Sequence, residues 1–193
     1  MLHDVLLLLR DSVNGHISAC SGVESSQTDQ GRVSFVGNES LENPDFKLGS
    51  VSLLLVNVEQ EFSLRTGDPY RVATSDGSTL RTQPPIHLNL YVLFVARFKD
   101  YERSLATLSL ILQFFQSHRV FDHQTAPTLN PRIEKIVMEL LTLPFAELQN
   151  VWTLLRAAYL PSLLYKARMV AYHDEDALPA AARLADAALR IRR

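Results

Sequence analysis

Apolar residues recur along this chain at two spacings, roughly every 3.6 residues in some stretches and every second residue in others, and the two periods separate helices from strands. Leu2, Val5, Leu6 and Leu9 share one helical face, with Arg10 and Asp11 on the wet side, so residues 2–12 are expected to form an amphipathic helix that Asn14-Gly15 ends. Residues 20–31 are rich in Ser, Gln and Asp with little to bury, which marks a mobile surface loop. A short apolar patch, Val33 to Val36, follows as a candidate edge strand. Residues 51–62 then begin β-branched and apolar and turn polar at Glu59 to Glu61, as a strand does when it enters a core and leaves it.

Residues 66–85 hold TGDP, SDGS and QPP and are expected to form a long loop. In residues 86–97, Ile86, Leu88, Leu90, Val92 and Phe94 alternate with His87, Asn89 and Tyr91, the signature of a strand. From Leu93 onward both faces turn apolar, which makes it the central strand. Behind Asp100, the positions Leu105, Leu108, Ile111, Leu112 and Phe115 form a helical stripe suited to lie on a sheet and ending near Ser117. Residues 132–141 read as another strand, and Pro144 fits the first turn of a third helix bearing Phe145, Leu148, Val151, Trp152 and Leu155. Past Pro161, Leu163, Tyr165, Ala167 and Met169 face one way and Lys166 and Arg168 the other, again a one-sided strand. Strands and helices in this order describe an α/β or α+β domain with helices packed on a mixed sheet.

Composition narrows the function classes. A chain of 193 residues with a 47% hydrophobic share can bury one substantial core and leaves little room for a second full domain. With 19 Lys and Arg against 21 Asp and Glu, the net charge of -2 gives no general drive toward nucleic acid. The lone Cys20 cannot close an intrachain disulfide or a CxxC pair, as expected of a chain made in the reducing cytosol. Met1 to Leu9 carries Asp4 and no leading basic cluster, and its apolar run Val5 to Leu9 is far too short to span a bilayer, so a core helix is expected there and neither a signal peptide nor membrane insertion.

Candidate chemistry is sparse. His118, Asp122 and His123 could hold zinc, but their spacing matches no recognised ligand set and no Cys supports them, so solvated loop polarity is the simpler reading. His87 on the polar face of a strand reads as a hydrogen-bonded structural residue. There is no GxSxG elbow and no Gly-rich loop opening a helix, and Glu59 and Glu61 end a strand as solvated carboxylates; no catalytic residue, metal or cofactor is expected. Trp152 and Tyr159 read first as packing residues and second as interface residues. After Asp174, Glu175 and Asp176, residues 179–193 form a candidate helix, with Pro179 in the first turn, Ala181, Leu184, Ala188 and Ile191 on one face, and Arg190, Arg192 and Arg193 at the C-terminal end of its dipole. Its Ala-rich stripe buries little area, so it must dock on something to stay ordered, either its own domain or a neighbour.

Three segments in order resemble one family. The first is the strand at 51–65 closing on Asn57 and Glu59 with Arg65 behind it; the second is the Pro84-Pro85 strand with Leu88, Leu90 and Tyr91 and its following helix; the third runs from Leu148, Val151 and Trp152 to Ser162, Leu163 and Tyr165. This set resembles the N-terminal domain of the sixteenth component of virulence-cassette and antifeeding-prophage particles, first catalogued as a domain of unknown function. The resemblance covers roughly residues 1–172 and implies a tail-terminator-like fold with a largely antiparallel sheet. It also implies a structural cap that forms a homo-hexameric ring on the distal end of a contractile inner tube and sheath, ends their polymerisation and anchors the sheath. Partners would be the tube protein, the sheath protein and further copies of the chain, and the location a phage-tail-like particle assembled after cytoplasmic synthesis. Within that picture residues 173–193, with Leu184, Ala188, Arg190, Ile191, Arg192 and Arg193, are an interaction arm. The alternatives are a baseplate or tail-completion adaptor of the same particle and, from another class, an unrelated small-ligand-binding α/β domain.

Overall fold

A computed structural model describes residues 1–21, 32–37, 44–61, 71–73, 79–81, 86–171 and 178–179. Helix α1 (Leu2–Ser21) precedes the edge strand β1 (Val33–Phe35) and the long strand β2 (Ser50–Gln60). Two short strands follow, β3 (Arg71–Ala73) and β4 (Thr79–Arg81), and then β5 (Ile86–Arg97). The remainder is α2 (Tyr101–Ser117), β6 (Val120–Asp122), β7 (Ile133–Leu141), α3 (Phe145–Leu154), β8 (Ser162–Ala171) and β9 (Leu178–Pro179). Six strands form one sheet in the order β1-β2-β5-β8-β7-β6, parallel only between β1 and β2 and antiparallel elsewhere, so the fold is mixed α+β with a largely antiparallel sheet. β3, β4 and β9 make a separate three-stranded sheet.

The sheet buries both faces, and β5 shows why. Leu90, Val92, Phe94 and Ala96 point to one face, where Val5, Leu9, Val13 and Ile17 of α1 and Leu108, Ile111, Phe114 and Phe115 of α2 complete the main core. Leu93 and Val95 point to the other face, into a smaller core with Phe46, Trp152 and Leu164. A strand buried on both sides loses its alternation, which is the change seen at Leu93 in the sequence.

Several expectations are corrected. α1 does not stop at residue 12: the four-residue spacing of its buried face runs on through Val13 and Ile17, and it takes Cys20 and Ser21 out of the expected loop, whose residues 22–31 lie outside the described residues. Asn14 serves tertiary structure instead of a turn, accepting from Val33 N–H at 2.7 Å and donating Nδ2 to the Val33 carbonyl at 2.9 Å. Among the described residues nothing lies near a Cβ position at Gly15, so it is its intrinsic propensity that opposes the helix. Asn14→Ala orphans both groups of β1 and is expected to cost about 2 kcal/mol in urea unfolding.

The expected loop at 66–85 contains β3 and β4, paired from Arg71↔Arg81 to Ala73↔Thr79. β6 stands where only a loop was expected. Pro179 is not helical: Leu178–Pro179 pair with β4 at the sheet edge, where a missing N–H is tolerated, and the rest of the expected helix lies outside the described residues. Leu105 is 44% exposed; the buried stripe of α2 instead includes Ser104 and Thr107, whose hydroxyls bond back to the carbonyls of Asp100 and Arg103. Asp100 caps α2 as expected, accepting from Glu102 N–H. No helix among the described residues is long and apolar enough to cross a membrane.

Candidate interaction surface

The second face of the sheet is unevenly covered. Over the end of β5 near Leu93 and Val95, α3 lays down Trp152, which meets Phe46 at 6.1 Å between ring centroids. Arg97 fixes the Phe46 segment by donating Nη1 to the Phe46 carbonyl at 2.7 Å. Pro144 stands one position ahead of the helix, at its N-cap, and Arg156, at φ 50°, turns the chain away after its last turn. Of the ten residues of α3 Trp152 is the buried one, at 5% exposure, whereas Phe145 is 91% and Leu154 72% exposed, and Tyr159, beyond the helix, is 63% exposed. Tyr159 rests edge-on against Trp152 at 5.6 Å, its other side open. This exposed aromatic and aliphatic rim has the composition of a protein–protein contact.

Toward the other end of the same face the sheet is polar, and no described helix lies on it. The register sets Asn57 beside Tyr91, Tyr91 beside Lys166, and Lys166 beside Glu139. Tyr91 donates its hydroxyl to Glu59 Oε2, Asn89 donates Nδ2 to Glu61 at 3.1 Å, and Arg168 donates Nη2 to Glu139 at 2.6 Å. Acceptors on β2 and donors on β5 hold the strand pair together side to side. The carboxylate of Glu59, followed by partial burial, pushes the Tyr91 phenol up to about 12. Burial alone does the same to Tyr165, also to about 12.

Both phenols are therefore raised in the folded chain, so the stability they confer is complete below pH 10 and lost as pH rises from about 10 to about 12. An ultraviolet titration should show two late phenolate components, one absent in Tyr91→Phe and the other in Tyr165→Phe; ionisation of both near pH 10 would contradict the arrangement.

The residues singled out in the sequence do not converge on one site. Asn57, Glu59 and Tyr91 line the polar half-face, whereas Leu88, Leu90 and Tyr165 belong to the main core and Trp152 to the smaller one. Arg65 and Pro85 lie outside the described residues, as do Leu184, Ala188, Arg190, Ile191, Arg192 and Arg193. Of the candidate zinc residues, Asp122 accepts from the backbone N–H and the hydroxyl of Thr125 and from Gln124 N–H, which hold its carboxyl below the usual range. His118 stacks on Phe114 at 4.7 Å. No three His, Cys, Asp or Glu side chains gather as a metal centre among the described residues. The exposed rim is only partly legible in the sequence: Tyr159 is an interface candidate there, but Phe145, Leu148, Val151, Trp152 and Leu155 share one helical face that only Leu154 leaves, so spacing alone does not show that Phe145 stays exposed.

A family model described as the Pvc16 N-terminal domain matches residues 4–184. Among solved structures, the chain is similar to the sheath/tube terminator of an extracellular contractile injection system, PVC, in its extended state, with 14% identity over 89% of this chain and 60% of that one and a TM-score of 0.47. It is also similar to the tube-terminating cap of the anti-feeding prophage, with 13% identity over 88% of this chain and 56% of that one and a TM-score of 0.51. The chain thus spans less than two thirds of either structure's length. No curated protein matches it. At 13% identity the likeness to the cap is a likeness of fold.

Proposed function

The chain belongs to the Pvc16 N-terminal domain family, matched over residues 4–184, and from that premise we propose that it is a structural subunit which caps the inner tube and sheath of a contractile injection system. Family membership is the observation that carries this reading. The fold shared with a tube-terminating cap supports it, and so does a surface whose most distinctive feature is an exposed apolar rim on α3. The reading assigns the chain no reaction and no cofactor.

Its mechanism is geometric. Six copies joined head to tail close into a ring, each using two different patches, and a ring that matches a six-fold tube layer stops further addition and gives the sheath end an anchor. Phe145, Leu154 and Tyr159 supply one of the two patches. Residues 1–172 act as the terminator domain and 173–193 as an arm to a neighbouring subunit or to the sheath, with Leu184 and Ile191 as apolar contacts and Arg190, Arg192 and Arg193 as polar ones. The protein accordingly resides in an assembled phage-tail-like particle. Electron microscopy of the purified chain mixed with the tube protein of the same particle should show six-fold rings seated on tube ends. A stable monomer by mass photometry, with bare tube ends, would overturn the proposal.

A further inference from the structure

The sheet edge at β7 is only half covered. β6 pairs with β7 from Val120↔Val137 to Asp122↔Lys135, and one more bond follows, from Met138 N–H to the Arg119 carbonyl at 2.8 Å. Along an antiparallel strand the N–H and C=O of alternate residues point the same way, so those of Leu140, two residues on, face the same side. No described residue bonds them there.

A cleft of about 380 Å³ adjoins this stretch, between the end of α2 and β7, and is lined by Leu112, Phe115, Gln116, Arg119, Leu140 and Tyr165 among others. Tyr165 is 2% exposed, yet its hydroxyl has no partner among the described residues. A buried hydroxyl left unbonded is unfavourable, and a chain that keeps one beside an open cleft has a use for it when the cleft is filled. Leu140 is 46% exposed at the rim, and the exposed guanidinium of Arg119 forms no ion pair among the described residues.

We infer that this cleft and the free edge of β7 dock an extended segment of a partner protein. The segment adds a strand at Leu140, sets an apolar side chain between Leu112 and Leu140, offers a hydrogen-bond acceptor to Tyr165 and brings a carboxylate to Arg119. Backbone groups at strand spacing select another backbone over a small molecule, while the apolar lining of the cleft and the cation of Arg119 select the side chains. A second copy paired through the open stretch of its β2, beyond Leu53, fits less well, because a bulge between Leu55 and Asn57 shifts the register there. The inference rests on the reading of the chain as an assembly subunit, and it places a contact apart from the α3 rim.

Short synthetic peptides tiled along the tube and sheath proteins of the same particle are the probes, and amide exchange at Leu140 is the readout. An extended apolar-acidic peptide should slow that exchange by about tenfold or more. Tyr165→Phe should leave the free chain as stable as before, or more so, yet weaken the peptide by roughly 5- to 10-fold, because only the bound state uses the hydroxyl. Leu140→Pro deletes the outward amide at an edge position where proline is tolerated, and should abolish binding with the fold intact. The inference is overturned if no peptide slows exchange at Leu140, if Tyr165→Phe binds as tightly as the parent, or if concentrating the chain alone gives the protection. Ring formation on tube ends is scored in parallel, so a chain that binds the peptide but makes no rings contradicts the cap reading alone.

Discussion

Phe94→Ala is expected to remove about 3–5 kcal/mol of folding stability, the largest effect of any single substitution in the described core. Phe94 lies in the C-terminal half of β5 with no exposed surface, flanked in the sheet by Leu53 and Leu163. Above it, its ring meets Phe115 at 5.7 Å and Tyr165 edge-on at 5.9 Å, so one side chain ties α2, β5 and β8 together. Truncation leaves a cavity roofed by aromatic rings that cannot collapse without moving α2, which is why the cost belongs at the upper end for such changes. Since whole domains hold only about 5–15 kcal/mol, the melting temperature should fall on the order of 10 °C. Leu105→Ala is the contrast: helical spacing places Leu105 in the same stripe, but at 44% exposure it should change stability by less than about 1 kcal/mol. Equal losses for the two variants, in calorimetry, would contradict the packing described.

The double variant Phe145→Asp, Leu154→Lys is expected to abolish ring assembly while leaving the monomer folded. Both side chains are largely exposed, so each exchange should shift stability by no more than about 0.5 kcal/mol. The new charges also suit the helix, acidic at the start of α3 and basic at its end. Tyr159 is left alone because its ring touches Trp152, and changing it would mix packing with assembly. If Phe145 and Leu154 anchor a ring contact, truncating each costs about 2 kcal/mol of association, a factor of roughly 30 apiece, and an introduced charge costs more. Sedimentation with tube protein, alongside circular dichroism, separates the outcomes: rings at full yield from the double variant would remove α3 from the interface.

Local patterning made the long elements legible and the short or shared ones not. β5, β7 and β8 were readable because several residues on each repeat one facing rule, and the loss of alternation at Leu93 correctly marked burial on both sides. α1 was cut short in the reading because Asn-Gly is a strong turn signal locally, whereas Val13 and Ile17 are held by the distant α2 and β1. β3, β4 and β6 are each three residues long and exist through pairing with partners elsewhere in the chain, so no window of sequence reveals them. Leu105 is misplaced by the spacing because a helical period fixes a face only to within a residue or so, and Ser104 and Thr107 can be buried instead by satisfying their hydroxyls within the helix. For the surface, composition excluded classes without naming one; the ordered resemblance named the family, and the α3 rim became visible only once Trp152 was seen to take the one buried position.

If this chain ends a contractile tube, length is the property it controls. Particles assembled with and without the gene, imaged by electron microscopy and scored for tube and sheath length and for density at the distal end, test it most directly. Rings are expected at the distal end of complete particles, and tubes of irregular length with detached or missing sheath when the chain is absent. Particles of unchanged length and intact sheath without it would overturn the cap reading.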